Sequence, residues 1–232
     1  AGRAQGSMGV ECADVDNDGL LDLFVTTYQQ ELATLFKNQG KGLFEDVTRI
    51  TKAGEGTLRY VKWGVGIVDF DNDGHRDLFV ACGHFDQIER IDDKTALKVP
   101  NYLLMNTGDG RFKDVSKQAG SGLAVVESSR GAAFDDLDND RHMDAVVLNS
   151  GALPTILRND SRTGHHWLQL KLQGKRHNSD GVGARIRVFT GDRASGGDKV
   201  QIAEAIAGRS YQGHFGTRLH FGLGAHQRVD KI

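Results

Sequence analysis

The chain has 232 residues with 30 glycines, 2 prolines and 38% hydrophobic residues, and its formal net charge is −2. The glycines follow no G-X-Y period, which excludes collagen, and the hydrophobic content excludes a disordered chain. No apolar run approaches the ~18 residues of a membrane-spanning helix, and the basic residues are too scattered for a nucleic-acid surface. The chain starts without Met or a signal peptide, so we expect a fragment of a longer protein.

Three segments of the sequence align without gaps and share an acidic centre. They are GVECADVDNDGLLDLFV from Gly9, GVGIVDFDNDGHRDLFV from Gly64 and GAAFDDLDNDRHMDAVV from Gly131. A second element follows each copy and reads LFKNQGKGLFEDV from Leu35, LLMNTGDGRFKDV from Leu103 and, in partial form, TILRND from Thr155. Such self-similarity indicates a repeat architecture.

Each copy is predicted to form strands around its acidic loop. Residues 65–68 enter the second loop and residues 78–82 leave it, and the consecutive apolar residues of the second run indicate a strand covered on both faces. Phe-rich segments with glycine turns supply further strands, and no segment has a helical period. About four strands per copy predict blades of a β-propeller. Residues 85–99 add length before the third copy and are expected to form an excursion loop.

The acidic loops predict up to three structural calcium sites. Four carboxylates within nine residues repel one another unless a hard cation lies between them, and alternating oxygen ligands with a backbone carbonyl at position 7 are typical of Ca²⁺. The predicted carboxylate ligands are Asp14, Asp16, Asp18, Asp22, Asp69, Asp71, Asp73, Asp77, Asp136, Asp138, Asp140 and Asp144, and the predicted carbonyl ligands are those of Leu20, His75 and His142. Gly19 and Gly74 allow the sharp turn at position 6.

An EF-hand and ordinary Asp-rich turns are the two other interpretations of these loops. An EF-hand begins in the same way but needs Glu at position 12 and flanking helices. Position 12 is Val25, Val80 or Val147, each within a strand-like run, which excludes an EF-hand. Ordinary Asp-rich turns remain the alternative, and three copies in register favour the metal sites over them.

The third loop departs from the pattern at position 6, where Arg141 replaces glycine. A non-glycine residue with positive φ costs about 1 kcal/mol or more, and the guanidinium charge opposes a nearby cation. The third site is therefore predicted to bind calcium most weakly. If the third site instead fills first, Asp135 is the expected compensator, because its carboxylate would hold the guanidinium of Arg141 away from the ion.

Residues 165–232 predict a separate β unit. Trp167 begins one strand, and Ile186 and Val188 alternate with Arg185 and Arg187 in another, so that one face is buried and the other is basic. Further strands are expected at residues 200–206 and 219–223. The basic face allows either an anionic glycan or, as the favoured interpretation, a solvated sheet surface.

The repeats resemble FG-GAP (VCBS-type) repeats, and the sequence after Gly151 resembles the ASPIC/UnbV domain, with NSDGVGAR from Asn178 and RLHFGLG from Arg218. Their order resembles bacterial proteins of the cartilage-acidic-protein type. The resemblance implies an all-β fold, with a partial β-propeller of calcium-loop blades over residues 1–160 and a small β-sandwich-like ASPIC/UnbV domain over residues 161–232. Three loops are fewer than the four blades of a closed ring, and the family's Trp-Pro strand is missing, so both ends are expected to be cut.

The resemblance implies a secreted, periplasmic or cell-surface protein with a protein or glycan ligand at the cell surface or matrix. The sequence has no H-E-x-x-H, G-x-S-x-G or Walker motif, and His165 and His166 point to opposite faces if they lie in a strand. We predict a calcium-stabilised adhesion or scaffold module that is not an enzyme. The alternatives are a carbohydrate-binding propeller and a non-catalytic part of a larger secreted enzyme. Cys12 and Cys82 are expected to be buried thiols.

Overall fold

The computed structural model describes residues 4–85, 96–192 and 197–232. The protein is almost entirely β, with 40% of residues in strands and 5% in helices, which confirms the all-β prediction. The described residues form no closed barrel or propeller, and the sheets are those of a partial propeller.

Two antiparallel sheets of four strands contain the first two copies of the repeat, and each sheet is called a blade. Blade one consists of β1 (Val10–Ala13), β2 (Asp22–Val25), β3 (Thr34–Asn38) and β4 (Phe44–Asp46). Blade two consists of β5 (Lys62–Val68), β6 (Asp77–Cys82), β8 (Tyr102–Asn106) and β9 (Phe112–Asp114), and β7 (Val99–Pro100) lies outside it. The first two strands of each blade are connected by the acidic loop.

Blade three has three strands. It consists of β11 (Ser129–Asp135), β12 (Asp144–Asn149) and β13 (Thr155–Leu157), while β10 (Val126–Glu127) pairs with β7. Among the described residues the helices are short: α1 (Thr48–Thr51) and 3₁₀ turns at Thr57–Arg59 and Ser121–Ala124. Within the described ranges, no helix has the length and apolar character needed to cross a membrane. The predicted excursion loop falls mostly on residues 86–95, which lie outside the described residues.

The blades pack face to face through apolar side chains. One buried cluster joins blades one and two and includes Phe24, Leu35 and Ile67, and a second joins blades two and three and includes Phe134. Every residue of β6 is buried, as the consecutive apolar residues 78–82 predicted, and every residue of β5 is buried as well. Close packing needs Gly66, because a Cβ there would lie 2.2 Å from the Phe134 ring.

The C-terminal unit is a small sandwich of two two-stranded sheets. One sheet pairs β14 (His166–Leu170) with β17 (Leu219–Gly224), and the other pairs β15 (Arg185–Asp192) with β16 (Gly197–Glu204). Side chains from both sheets share one core, which includes Val188 and Phe221. The predicted sandwich-like unit is therefore present, and the boundary at residue 160 stays a prediction.

The C-terminal unit contacts the blades through polar groups. Arg209 Nε donates to Oε1 of the buried Glu11 at 2.8 Å. The backbone N–H of Val65 donates to Ser210 Oγ at 2.9 Å. These contacts connect residues that lie more than 140 positions apart in the sequence, so no local pattern indicates them.

The two cysteines differ in burial. Cys82 is buried as predicted, and burial raises the pKa of its thiol to about 12. Cys12 is only half-buried, which corrects the prediction for that residue.

Candidate metal centre

Loop one (residues 14–22) is organised by its own carboxylates, which accept hydrogen bonds from its backbone. Asp14 accepts from the N–H groups of Asp18 at 3.1 Å and Gly19 at 3.0 Å. Asp22 accepts from the N–H of Val15 at 3.1 Å and from the N–H of Asn38 in β3 at 2.9 Å. The loop is thus held in a turn that directs carboxylates toward a common centre.

Loop two (residues 69–77) and loop three (residues 136–144) repeat this arrangement. Asp69 accepts from the N–H of Gly74 at 2.8 Å, and Asp136 accepts from the N–H of Arg141 at 3.1 Å. Position 6 has positive φ in all three loops: 91° at Gly19, 90° at Gly74 and 88° at Arg141. Arg141 therefore adopts the glycine-favouring conformation of the equivalent Gly19 and Gly74.

Each loop brings three carboxylates together. Their oxygen atoms lie within 4.8 Å of one another in the groups Asp14, Asp16 and Asp18; Asp69, Asp71 and Asp77; and Asp136, Asp138 and Asp144. Carboxylate oxygens suit a hard cation such as Ca²⁺, which takes about 6–8 oxygen ligands and would draw the others from backbone carbonyls and water. The three carboxylates of each group would hold one ion and make their loop rigid.

The other six predicted ligands lie in the same loops but outside these groups. They are Asp22, Asp73, Asp140, Leu20, His75 and His142. The N–H groups of Leu20, His75 and His142 donate to the position-5 aspartates at 2.9, 2.7 and 3.0 Å. A role of their carbonyls as ligands stays a prediction.

Burial and like charge make the ionised carboxylates unfavourable without a cation. Burial raises the pKa of Asp14 and of Asp22 to about 6, and neighbouring carboxylates add to the effect. Burial likewise raises the pKa of Asp69 to about 7, and that of Asp77 is well above its usual value. A bound divalent cation would favour the charged forms of all four groups.

A basic side chain forms ion pairs with the carboxylates of loop one and of loop three. The sequence analysis did not predict these two ion pairs. Lys37 contacts Asp16 and lies 3.1 Å from Oδ2 of Asp18. Arg158 Nε lies 3.2 Å from Oδ2 of Asp138. The equivalent residue of blade two is Met105, and among the described residues no Lys or Arg forms an ion pair with a carboxylate of loop two. The aligned motifs LFKN, LLMN and ILRN show the difference at their third residue, which is Lys37, Met105 or Arg158.

The three loops are connected in a row by asparagines at position 4. Asn17 Nδ2 donates to the carbonyl of Gly74 at 3.1 Å, and Asn72 Nδ2 donates to the carbonyl of Arg141 at 3.1 Å. Both asparagines have positive φ, of 59° and 62°, a conformation that Asn tolerates better than most residues. Each loop therefore positions the turn of the next one.

The C-terminal unit covers loop two. His220 Nε2 lies 2.5 Å from Asn72 Oδ1, and the N–H of Gly224 donates to the carbonyl of Asn72 at 2.8 Å. An added Cβ at Gly222 would lie 2.0 Å from Asp69 Oδ2. Strand β17 therefore packs directly on the predicted ligands of loop two.

A family model of FG-GAP-like repeats matches residues 14–80 and 69–147, which together cover more than half of the sequence. The chain belongs to the FG-GAP-like repeat family. The two matches begin at Asp14 and Asp69, so each starts at the first carboxylate of an acidic loop. A family model described as ASPIC and UnbV matches residues 174–232, within the C-terminal sandwich. A search of curated proteins found no match.

The third FG-GAP loop corrects one prediction. Asp135 does not hold Arg141: its carboxylate is bound by Arg218, whose Nη2 lies 2.6 Å and whose Nε lies 2.8 Å from Asp135 Oδ1. Arg218 Nη2 also donates to the carbonyl of Asp136 at 2.8 Å. Arg141 is exposed. The positive charge that pairs with Asp135 is thus the Arg218 guanidinium, which belongs to the ASPIC/UnbV region far away in the sequence.

The histidines near the FG-GAP loops make structural contacts. Burial lowers the pKa of His220 to about 3, so the imidazole is neutral and donates from Nε2 to Asn72. Its Nδ1 lies 3.3 Å from Gln169 Nε2, which also donates to Asp136 Oδ2 at 3.1 Å. His165 Nδ1 lies 2.8 Å from the carbonyl of Asp71. Loops two and three are thereby joined to β14 and β17.

Proposed function

We propose that the chain is a calcium-stabilised adhesion or scaffold module of a secreted, periplasmic or cell-surface protein, without catalysis of its own. The observation that carries the proposal is the row of three equivalent carboxylate clusters connected through Asn17 and Asn72. FG-GAP repeats often bind calcium and are typical of extracellular proteins, which supports both parts of the proposal.

The role of calcium in this proposal is structural. Each cluster lies between the first two strands of a blade, and Asp22 additionally joins its loop to β3 through the N–H of Asn38. Neutralising the carboxylates therefore strengthens a connection between strands. An ion bound at loop two would also stabilise the surface on which Gly222 and His220 pack.

The proposed absence of catalysis is supported by the partners of the histidines near the loops. His220 and His165 hydrogen-bond to Asn72 and to the Asp71 carbonyl, respectively. General acid–base catalysis needs an imidazole that can exchange a proton near neutral pH, and the lowered pKa of His220 does not fit that role.

The carbohydrate-binding alternative gains no support from Trp63. Its side chain is only 5% exposed, its Nε1 donates to the carbonyl of Gly83 at 2.7 Å, and Arg130 lies over its ring at 4.6 Å. A sugar platform needs an accessible aromatic face. We therefore propose a protein ligand at the cell surface or matrix ahead of a glycan.

Thermal unfolding with calcium and with EDTA tests the proposal. Calcium at a hundredfold excess over Kd adds about 2.7 kcal/mol per site to the free energy of unfolding, so EDTA is expected to lower Tm by several degrees. Asp71→Ala is expected to remove one site by calorimetric titration. The exposed Glu55→Ala is the matched control and should retain every site. An unchanged Tm in EDTA would contradict the structural role of calcium.

A further inference from the structure

Position 8 of each acidic loop faces a small cavity beneath the C-terminal unit. The residue there is Leu21 in loop one, Arg76 in loop two and Met143 in loop three, and all three line the same cavity of about 40 Å³. An apolar side chain suits this place, whereas a desolvated guanidinium needs a partner. Arg76 is therefore the exception among the three copies, and its surroundings decide which partner it needs.

The surroundings of Arg76 lie inside the described part of the chain. Clusters of buried apolar side chains join blade two to blade one on one side and to blade three on the other. Strand β17 covers loop two. The cavity is accordingly lined by Leu21 of blade one, Met143 of blade three and Leu219 of the C-terminal unit as well as by blade two. Its walls do not depend on the outer edges of blades one and three.

The guanidinium of Arg76 forms no hydrogen bond and no ion pair with any residue that the structure describes. Burial lowers the pKa of Arg76, the carboxylate of Asp69 opposes this shift, and the charge of Arg209 adds to it. An arginine side chain has five N–H donors, and burying donors without acceptors costs free energy. The cavity must therefore contain the acceptors.

Two arginines of the C-terminal unit also line the cavity, and both have carboxylate partners. Arg209 Nε lies 2.8 Å from Oε1 of Glu11 in blade one, and Arg218 Nη2 lies 2.6 Å from Oδ1 of Asp135 in blade three. Blades one and three thus each supply a carboxylate to an arginine of the C-terminal unit. Blade two instead supplies a third positive charge, that of Arg76.

The two carboxylates among the described lining residues have other partners. Asp69 accepts from the N–H of Gly74 at 2.8 Å and belongs to the carboxylate cluster of loop two. Glu204 lies 3.7 Å from Nη2 of Arg185. When a cation occupies loop two, the charge of Asp69 is shared with that cation. The potential at Arg76 then becomes more positive, and the need for an anion increases.

The size of the cavity limits its ligand. A single water needs about 10–15 Å³ of such space, and pockets for small organic ligands measure about 300–1,000 Å³. The volume of about 40 Å³ therefore admits about two or three waters or one monatomic anion. Ile67, Phe134 and Leu219 add apolar walls. An anion neutralises the guanidinium as water cannot, and an uncompensated charge is strongly destabilising in such a place.

We propose that Arg76 binds a chloride ion in this cavity and that chloride binding is linked to calcium binding at loop two. The guanidinium donates its N–H groups to the chloride, and the nearby Arg209 and Arg218 strengthen the attraction. Calcium favours chloride because it takes up the charge of Asp69, and chloride must then tighten calcium binding by the same factor. The linkage rests on the proposed calcium sites, whereas the chloride site does not.

A halide titration of the intact chain tests the site. Tm is measured in calcium while chloride replaces gluconate, an anion too large for the cavity, at constant ionic strength so that screening does not change. Tm is expected to rise with saturation, by about 3 °C at chloride tenfold above Kd. Bromide should act in the same way, and a crystal grown in bromide should show an anomalous peak at Arg76.

The other two loops supply the variants. Arg76→Met and Arg76→Leu introduce the position-8 residues of loops three and one, so both are expected to fold. Each should lose the chloride dependence of Tm and the bromide peak. Arg187→Met is the matched control, because it removes an exposed arginine of the C-terminal unit and should retain both.

Three results would overturn the chloride site. They are a Tm that does not depend on chloride, a chloride dependence that persists in Arg76→Met, and ordered water without bromide at Arg76, which means a water-filled cavity only.

The titration in EDTA decides the linkage separately. Chloride binding is expected to weaken about tenfold without calcium. Equal chloride affinity with and without calcium would overturn the linkage and leave the chloride site in place. If EDTA itself does not change Tm, the proposed structural role of calcium fails, and the comparison of Arg76→Met with the parent protein still decides the chloride site.

Discussion

His220 of the ASPIC/UnbV region and Asn72 of loop two are joined by a hydrogen bond, with 2.5 Å between Nε2 and Oδ1. Asn72 also donates to the carbonyl of Arg141 in loop three. One asparagine therefore connects two acidic loops and the C-terminal sandwich. Since Asn72 lies between Asp71 and Asp73, the order of loop two and the docking of β17 are coupled.

Gly222 is predicted to be irreplaceable at this contact. In Gly222→Ala, the new Cβ would lie 2.0 Å from Asp69 Oδ2 and 2.6 Å from the carbonyl carbon of Asn72, so β17 must move away from loop two. We expect a loss of about 1–3 kcal/mol in unfolding free energy, together with weaker calcium binding. Thermal unfolding and calorimetric titration measure the two effects.

Gly213→Ala is the matched control for Gly222→Ala. A Cβ at Gly213 would meet its nearest atom at 3.4 Å, and this glycine does not have positive φ. Equal loss of stability in the two variants would contradict a specific role for the contact between β17 and loop two.

Lys37 is predicted to compete with calcium at loop one. Its Nζ contacts Asp16 and Asp18, whereas blade two has Met105 in the equivalent place, so loop two is expected to fill first. Lys37→Met should tighten the first site by about fivefold, the equivalent of roughly 1 kcal/mol for one competing ion pair near the surface. Calorimetric titration of both proteins measures the change. Lys113→Met, at an exposed position of β9, should leave every site unchanged.

Arg141→Gly is predicted to improve loop three in two ways. The substitution relieves the positive φ of 88° at a gain of about 1 kcal/mol, and it removes one positive charge from the acidic loop. The variant should melt at a higher temperature and bind calcium more tightly at the third site. Weaker binding in the variant would show that Arg141 contributes favourably to the loop.

The stability of the calcium-free protein is predicted to fall as the pH rises from about 4 to 7. The pKa values of Asp14, Asp22 and Asp69 are raised to about 6, 6 and 7. The folded state then binds more protons than the unfolded state across this interval, and stability from these groups is lost on passing through their folded-state pKa values. His220 makes stability rise with pH over part of this interval, because its pKa is lowered to about 3. The net change is still a fall, because three carboxylates oppose one histidine.

Thermal unfolding in EDTA at pH 5 and pH 7 measures this dependence, and the same series in saturating calcium is its control. Calcium favours the ionised carboxylates, so the fall between the two pH values should disappear or reverse. A fall of equal size with and without calcium would place its origin outside the acidic loops.

The acidic loops, the turn residues and the strands around them could all be predicted from the sequence, because local chemistry determines them. Carboxylates two residues apart, a residue with positive φ at position 6 and apolar runs on either side act within about twenty residues. The alignment with Gly19 and Gly74 left positive φ or a distorted turn open for Arg141, and the structure shows positive φ. The repeat made these local signals stronger by presenting them three times.

The partners of the loops depended on tertiary structure, since they lie far away along the chain. Arg218 rather than Arg141 binds Asp135, and His220 bonds to Asn72. No periodicity or spacing encodes which of several arginines or histidines reaches a given carboxylate or amide. That choice follows from the packing of blades and sandwich, in which burial requires each polar group to find whichever partner the fold brings within hydrogen-bonding distance.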